Sequence, residues 1–217
     1  MTVHTKTLVL LESGDHLTRD EFHRRYLERL DIKKAELVEG VVYVAPPVRI
    51  KLHSRPHGIV VLWLGTYAVR VPGLLLEVEG SVYLDGRNEV QPDAFLWREE
   101  SGVAHLNEDG YLEGVPLLVV EVAASSVSYD LHAKKEAYRR NGVLEYVVWR
   151  VLDRAVDWFD LQNGQYVARE PDQHGILESG QFPGLRLHLP SLLAGDAAGV
   201  LAALDPAWTP QPAPGQE

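Results

Sequence analysis

Between Val115 and Ala124 the chain reads Val-Pro-Leu-Leu-Val-Val-Glu-Val-Ala-Ala, an apolar run interrupted by one carboxylate, Glu121. Such a run predicts a buried strand over Pro116–Ala123, and an ionised group inside it is costly unless it is paired or bound to a metal. Asp130 then predicts the start of a helix running to Asn141, with Gly142 in the position that commonly ends a helix in the left-handed conformation. Glu145 to Leu152 returns as a strand. A strand, a helix and a strand in succession imply a parallel pair joined by a right-handed crossover, which makes the chain an α/β protein.

The neighbouring segments supply the rest of a mixed sheet. Leu17-Thr-Arg-Asp-Glu-Phe22 predicts a helix start, with Thr18 as cap, Glu21 closing a capping box and Leu17 stapled against Phe22. Phe22, Tyr26 and Leu30 share its apolar face. Glu36 to Val44 reads as a hairpin turning near Gly40. Pro46-Pro47 ends it, and a basic loop from Arg49 to His57 leads into a buried helix from Gly58 to Val69. Strands are predicted over Leu74–Leu84 and Val90–Trp97, joined by the turn-forming Asp85-Gly86-Arg-Asn88. Asn163-Gly164 centres a further hairpin between Ala155 and Ala168. The core order is therefore αβββαβ, with an N-terminal helix and hairpin before it and a β extension after it. One domain over residues 1–205 is expected, followed by a Pro-rich, disordered tail over 206–217.

Composition narrows the chemistry. With 217 residues, 46% of them apolar and 24% charged, the chain has the balance of a globular protein, and no apolar run approaches the roughly 20 residues that cross a bilayer. No secretory signal segment is legible at Met1–Glu12, so a cytoplasmic location is expected. The absence of cysteine excludes thiolate metal sites and leaves oxygen and imidazole as ligands. A formal charge of -10 argues against broad electrostatic coating of nucleic acid, so contact with such a partner must be local or metal-assisted.

Gln91-Pro92-Asp93 places a second carboxylate at the start of a strand, where proline is tolerated. Adjacent strands lie ~5 Å apart, close enough for Asp93 and Glu121 to share one cation. On the helix after Glu121, Leu131, Lys134 and Tyr138 fall at i, i+3 and i+7, which turns Lys134 inward, while Lys135 lies on the flank nearer Arg139. His57, at a helix start, can contact a phosphate or simply pack locally. The loop from Arg49 to Arg55 can likewise touch a phosphate backbone or lie solvated. No Gly-rich phosphate loop, serine elbow or zinc-binding HExxH run is present.

Taken in order, Glu36-Leu-Val-Glu-Gly40, His57, Pro92-Asp93, Glu121-Val-Ala-Ala with Asp130, Lys134 and Tyr138, and Gly142-Val-Leu-Glu-Tyr146 resemble the PD-(D/E)xK nuclease superfamily. Within it they are similar to a bacterial restriction-endonuclease-like family, over roughly Leu17 to Leu152. The resemblance implies a restriction-endonuclease-like fold and metal-dependent endonuclease activity on DNA. It implies Asp93, Glu121 and the Val122 carbonyl as ligands of Mg²⁺, with Mn²⁺ as substitute. It further implies Lys134 as the site lysine and Glu36 as an additional acidic residue, with Glu39 as the competing choice. The usual motif has lysine two residues after the glutamate, where this chain has Ala123, so the lysine is expected to have moved to the helix. Ala124-Ser125 stands where that family commonly has Ser-Pro. A homodimer is expected by analogy with nucleases that cut both strands, and a catalytically inactive scaffold that binds nucleic acid or protein is the alternative.

Overall fold

The computed structural model describes residues 10–204; the proline-rich tail expected from residue 206 onward lies outside them. Helix α1 (Arg19–Glu28) begins as the sequence predicts, the Thr18 hydroxyl accepting from the Glu21 amide. The reciprocal half of the capping box is replaced: the Glu21 carboxylate accepts from Arg24 and Arg25. Phe22 is fully buried against Leu17, Leu11 and the first hairpin, whereas Leu30 lies beyond the helix end and is 94% exposed. That hairpin, β1 (Ala35–Val38) and β2 (Val41–Val44), turns through Glu39 and Gly40, both at positive φ as a tight two-residue hairpin turn requires.

A wide helical turn at Ile50–Ser54 continues into α2 (Arg55–Ala68), so His57 sits within the first turn of α2. The two long strands predicted next are each broken. Leu74–Leu84 divides into β3 (Leu75–Val78) and β4 (Val82–Asp85) at Glu79, whose φ of 54° is unusual for a residue with a side chain. Val90–Trp97 likewise divides into β5 (Asn88–Val90) and β6 (Ala94–Trp97) around Gln91-Pro92-Asp93. In both cases the halves go to different sheets. A short hairpin that the sequence reading missed follows, β7 (Ala104–Leu106) and β8 (Leu112–Gly114).

The apolar run forms β9 (Leu118–Ala123), every residue buried. The helical segment after it comprises α3 (Val127–Tyr129), a wide turn Asp130–Lys134 and α4 (Lys135–Asn141), with Gly142 ending it at φ 90°. Asp130 is therefore inside the helical segment and not its cap. β10 (Glu145–Arg150) lies parallel to β9, as the strand-helix-strand order demands. The extension is the hairpin β11 (Ala155–Gln162) and β12 (Gln165–Ala168), then β13 (Ile176–Glu178) and β14 (Arg186–His188), and finally α5 (Leu189–Ala194) and α6 (Ala197–Ala202). No helix among the described residues is long and apolar enough to cross a membrane.

Two six-stranded sheets result. The main one has the order β12-β11-β10-β9-β6-β3 and the second β2-β1-β5-β4-β8-β7. On one face of the main sheet α2 and the C-terminal elements form a core in which Trp63 and Trp158 meet edge-on and the Trp63 indole donates to the Arg186 carbonyl. On the other face α4 and the second sheet cover Phe95, Val119, Tyr146 and Val148. This sandwiching leaves the ends of β6 and β9 where the first hairpin and the helical segment converge.

Candidate active site

β6 and β9 pair antiparallel with Ala94 opposite Val120. The next step of that register sets Asp93 across from Glu121, and both are buried. Their surroundings differ. The Val122 amide donates to Asp93 Oδ2 at 2.8 Å, and Lys34 Nζ lies 3.0 Å from Oδ1, with His53 Nε2 3.5 Å from the same oxygen. Glu121 Oε1 accepts from the Tyr138 hydroxyl at 3.1 Å and lies 2.5 Å from Lys134 Nζ.

Lys134 is only 1% exposed and bridges two carboxylates, since its ammonium also donates to Glu36 Oε1 at 2.8 Å. The same Glu36 oxygen accepts the Gln91 amide at 2.7 Å, which fixes the carboxylate that holds Lys134. Lys135 turns the other way, its ammonium 3.4 Å from the centre of the Phe159 ring. Glu39, the competing acidic residue, pairs with Arg140 at the hairpin turn and is absent from the lining of the site cavity. The structure thus brings together Glu36, Asp93, Glu121, Val122 and Lys134. His57 stands behind them, its Nε2 2.7 Å from the Asp93 carbonyl.

Three residues to which the sequence reading gave no role in the site complete the group. Lys34 sits two positions before Glu36, the spacing that puts two side chains on one face of a strand. His53 and His57 are four apart, one helical turn, and the His53 Nδ1 lies 3.0 Å from the Val122 carbonyl. Asp130, 3% exposed, carries a further carboxylate into the same cluster. All three belong to, or lie against, a cavity of about 680 Å³ whose lining also includes Glu79, Arg49 and Tyr129. Part of the predicted basic loop therefore does reach the cavity wall.

Burial sets the electrostatics. It pushes the Glu121 carboxyl up to about 8 against the pull of Lys134, helped by the nearby negative charge of Asp93, Asp130 and Glu36. Asp130 is raised by burial to about 6, with Lys134 and a hydrogen bond from Ser126 opposing. Asp93 goes the other way: burial would raise it, but Lys34, His53 and the Val122 amide outweigh that and hold it below the ordinary carboxylate value. For Lys134, burial favours the neutral amine, yet Glu121, Glu36 and Asp130 raise it well above the usual lysine value, so it is an ammonium. The result is two ammonium groups among four buried carboxyls, a site with room for more positive charge.

The donor set suits a hard divalent cation. Asp93, Glu121 and the second lone pair of the Val122 carbonyl all offer oxygen, and the chain has no cysteine.

Comparison with known proteins follows this geometry. The model of the family described as "Uma2: Putative restriction endonuclease" matches residues 19–190. Among solved structures, a protein from Anabaena variabilis described as a putative nuclease belonging to DUF820 superposes with a TM-score of 0.57 at 16% identity. The match covers 79% of this chain and 97% of that one, and at this identity it establishes the shared fold, mixed α/β and restriction-endonuclease-like. No curated protein matches the chain.

Proposed function

The chain belongs to the Uma2 family of putative restriction endonucleases, and from that membership and the site geometry we propose a metal-dependent endonuclease that hydrolyses DNA phosphodiester bonds. The observation that carries this reading is the pair Asp93 and Glu121, set opposite each other on β6 and β9 with Lys134 2.5 Å from Glu121 on the cavity wall. Asp93, Glu121 and the Val122 carbonyl would hold Mg²⁺, or Mn²⁺ in its place. When bound, such an ion acidifies a water and polarises a phosphoryl oxygen.

The chain's own residues do the positioning. The Val122 amide holds Asp93 Oδ2, and Tyr138 holds Glu121 Oε1, so each carboxylate presents a defined orientation. Glu36, itself held by the Gln91 amide, keeps the Lys134 ammonium at the site, where it orients the attacking water and balances the charge that grows on the phosphate. Lys34 and Arg49 on the cavity wall supply positive charge for a phosphate backbone despite the acidic whole. A cytoplasmic location and a homodimer that cuts both strands belong to the same reading.

The test is cleavage of plasmid and single-stranded DNA in Mg²⁺ or Mn²⁺ by the purified protein beside Asp93→Ala and Glu121→Ala. Activity confined to the unaltered protein supports the assignment; equal activity in all three preparations removes it. A second reading, a nuclease-like scaffold that binds nucleic acid or protein without catalysis, draws on the ion pairs themselves. Lys34 and Lys134 already neutralise Asp93 and Glu121 without a metal. Calorimetric titration beside Asp93→Ala and Glu121→Ala separates the two, since a scaffold need not retain Mg²⁺ or Mn²⁺ affinity at Asp93 and Glu121.

A further inference from the structure

Beside the carboxylate pair, His53, His57 and Glu79 present one ligand atom each, all within 4.8 Å of one another. Bond lengths of about 2.0 to 2.2 Å to one ion put its ligand atoms roughly 3 to 4 Å apart, so a small closure of these side chains suffices. Among the described residues no other group of three histidine or carboxylate side chains meets this spacing.

Each ring is held through one nitrogen by a backbone carbonyl. His53 Nδ1 lies 3.0 Å from the Val122 carbonyl and His57 Nε2 lies 2.7 Å from the Asp93 carbonyl. A carbonyl only accepts, so in each neutral ring the proton sits at that nitrogen and the other nitrogen is a bare lone pair. Metal-binding histidines are commonly held in this manner, one N–H on a backbone carbonyl and the second nitrogen free to ligate. For His53 the free nitrogen, Nε2, lies 3.5 Å from Asp93 Oδ1, two acceptors facing each other unless a proton or a cation lies between them.

Glu79 adds a second argument. It occupies the left-handed region at φ 54°, at the break between β3 and β4, a position that glycine or asparagine takes at lower cost. Its amide donates to the same Asp93 carbonyl that His57 contacts, at 3.3 Å, which ties the carboxylate-bearing residue to the imidazoles. Backbone strain kept at a cavity wall is the kind of local cost that functional sites carry.

We propose that His53, His57 and Glu79 form a second cation site, specific for a borderline divalent ion of the Zn²⁺ class, on the wall of the cavity beside Asp93. Two imidazoles and one carboxylate are a ligand set for such ions, and three protein ligands leave a position open to water or a phosphate oxygen. The site adjoins the all-oxygen set of Asp93, Glu121 and Val122, which suits Mg²⁺, and meets it where His53 Nε2 faces Asp93 Oδ1. It stands whether or not the carboxylate pair is catalytic.

The experiment is Zn²⁺ calorimetry, with Co²⁺ visible absorption as a spectroscopic reporter of nitrogen ligation, on the full chain and on His53→Ala, Glu79→Gln and Glu121→Gln. Thermal melts confirm that each variant folds. The expected result is Zn²⁺ binding and an intense Co²⁺ band in the unaltered protein and in Glu121→Gln. Affinity should fall at least about tenfold in His53→Ala and Glu79→Gln. Equal binding in all four, loss of the Co²⁺ band in Glu121→Gln alone, or no Zn²⁺ binding in the unaltered protein would each overturn the proposal. The Glu121→Gln arm keeps this outcome separate from the nuclease reading, because that variant is expected to lose DNA cleavage while keeping this site.

Discussion

Glu121 and Glu145 begin as similar problems and end differently. Each is a glutamate on a central strand, Glu121 in β9 and Glu145 in the adjacent parallel β10, and burial raises both. Glu145 is enclosed by neutral donors from the C-terminal segment: the Ser179 hydroxyl at 2.8 Å and the amides of Gly180 at 2.8 Å and Gln181 at 3.0 Å. It works as an anchor, tying the segment before β14 to the sheet. Glu121 is met by an ammonium and one tyrosine, among three other carboxyls, at the wall of a cavity. A buried carboxylate alone therefore does not mark a site. What distinguishes one is a shell that stays electrostatically open and accessible.

The largest effect should come from disturbing the open shell. Glu121→Gln removes one oxygen anion with little change of shape, and DNA cleavage in Mg²⁺ is expected to fall about 10⁴-fold, roughly 5 kcal/mol of transition-state stabilisation. Its melting temperature should stay level or rise, because an amide is cheaper to bury than a carboxylate. A large drop in melting temperature would make Glu121 structural, like Glu145.

Next in size is Lys134→Met, which leaves Glu36 and Glu121 buried without their common partner. A loss of about 3 to 5 kcal/mol is expected by urea unfolding in EDTA. Added Mn²⁺ should recover more stability in this variant than in the unaltered protein, since an ion then supplies the missing charge. No extra recovery would argue that the cation site is elsewhere.

Glu145→Ala leaves the buried Ser179 hydroxyl and the part-buried amides of Gly180 and Gln181 without their acceptor, at a cost of about 2 to 4 kcal/mol. Cleavage per folded molecule should be unchanged, measured below the lowered melting point. A loss of activity without loss of stability would erase the contrast between the two glutamates.

The smallest effect is one of pH. Because burial raises the folded value of Glu145, its native state holds the proton more tightly than the unfolded chain does. Its contribution is thus fully present below the unfolded carboxylate value and is lost as pH rises through the folded one. The stability of the unaltered protein relative to Glu145→Gln should decline as pH is raised across that window, as urea melts at stepped pH would show. A difference that grows with pH would mean that the three donors outweigh burial.

Legibility in the sequence followed locality. The β9-helix-β10 unit, the Thr18 cap and the Asn163-Gly164 turn all rest on residues adjacent in the chain, and each forms as predicted. The break at Glu79 was missed although Glu79-Gly80-Ser81 is a polar, turn-like stretch between the two apolar halves, because the flanking strand signals read as one. Asp130 reads as the cap although Ser126, a residue type equally suited to that position, lies directly before the true start at Val127. The C-terminal strands and helices were missed since their packing against Trp63 and Tyr67 of α2 joins residues more than a hundred positions apart. In the site, Glu121 stood out as a charge in an apolar run, Asp93 as a carboxylate at a strand start and Lys134 by its place on an apolar helical stripe, while Glu36 came from the family resemblance. Lys34 and His53 lay in polar stretches where a charged side chain carries no such signal, although their spacing to Glu36 and His57 held the hint.

The most direct test is anomalous diffraction from a crystal soaked in Mn²⁺. A peak within bonding distance of both an Asp93 oxygen and a Glu121 oxygen, about 2.1 to 2.3 Å from each, is the result this account predicts. Density showing the two carboxylates turned apart, with Lys34 and Lys134 still in place and no peak between them, would contradict it.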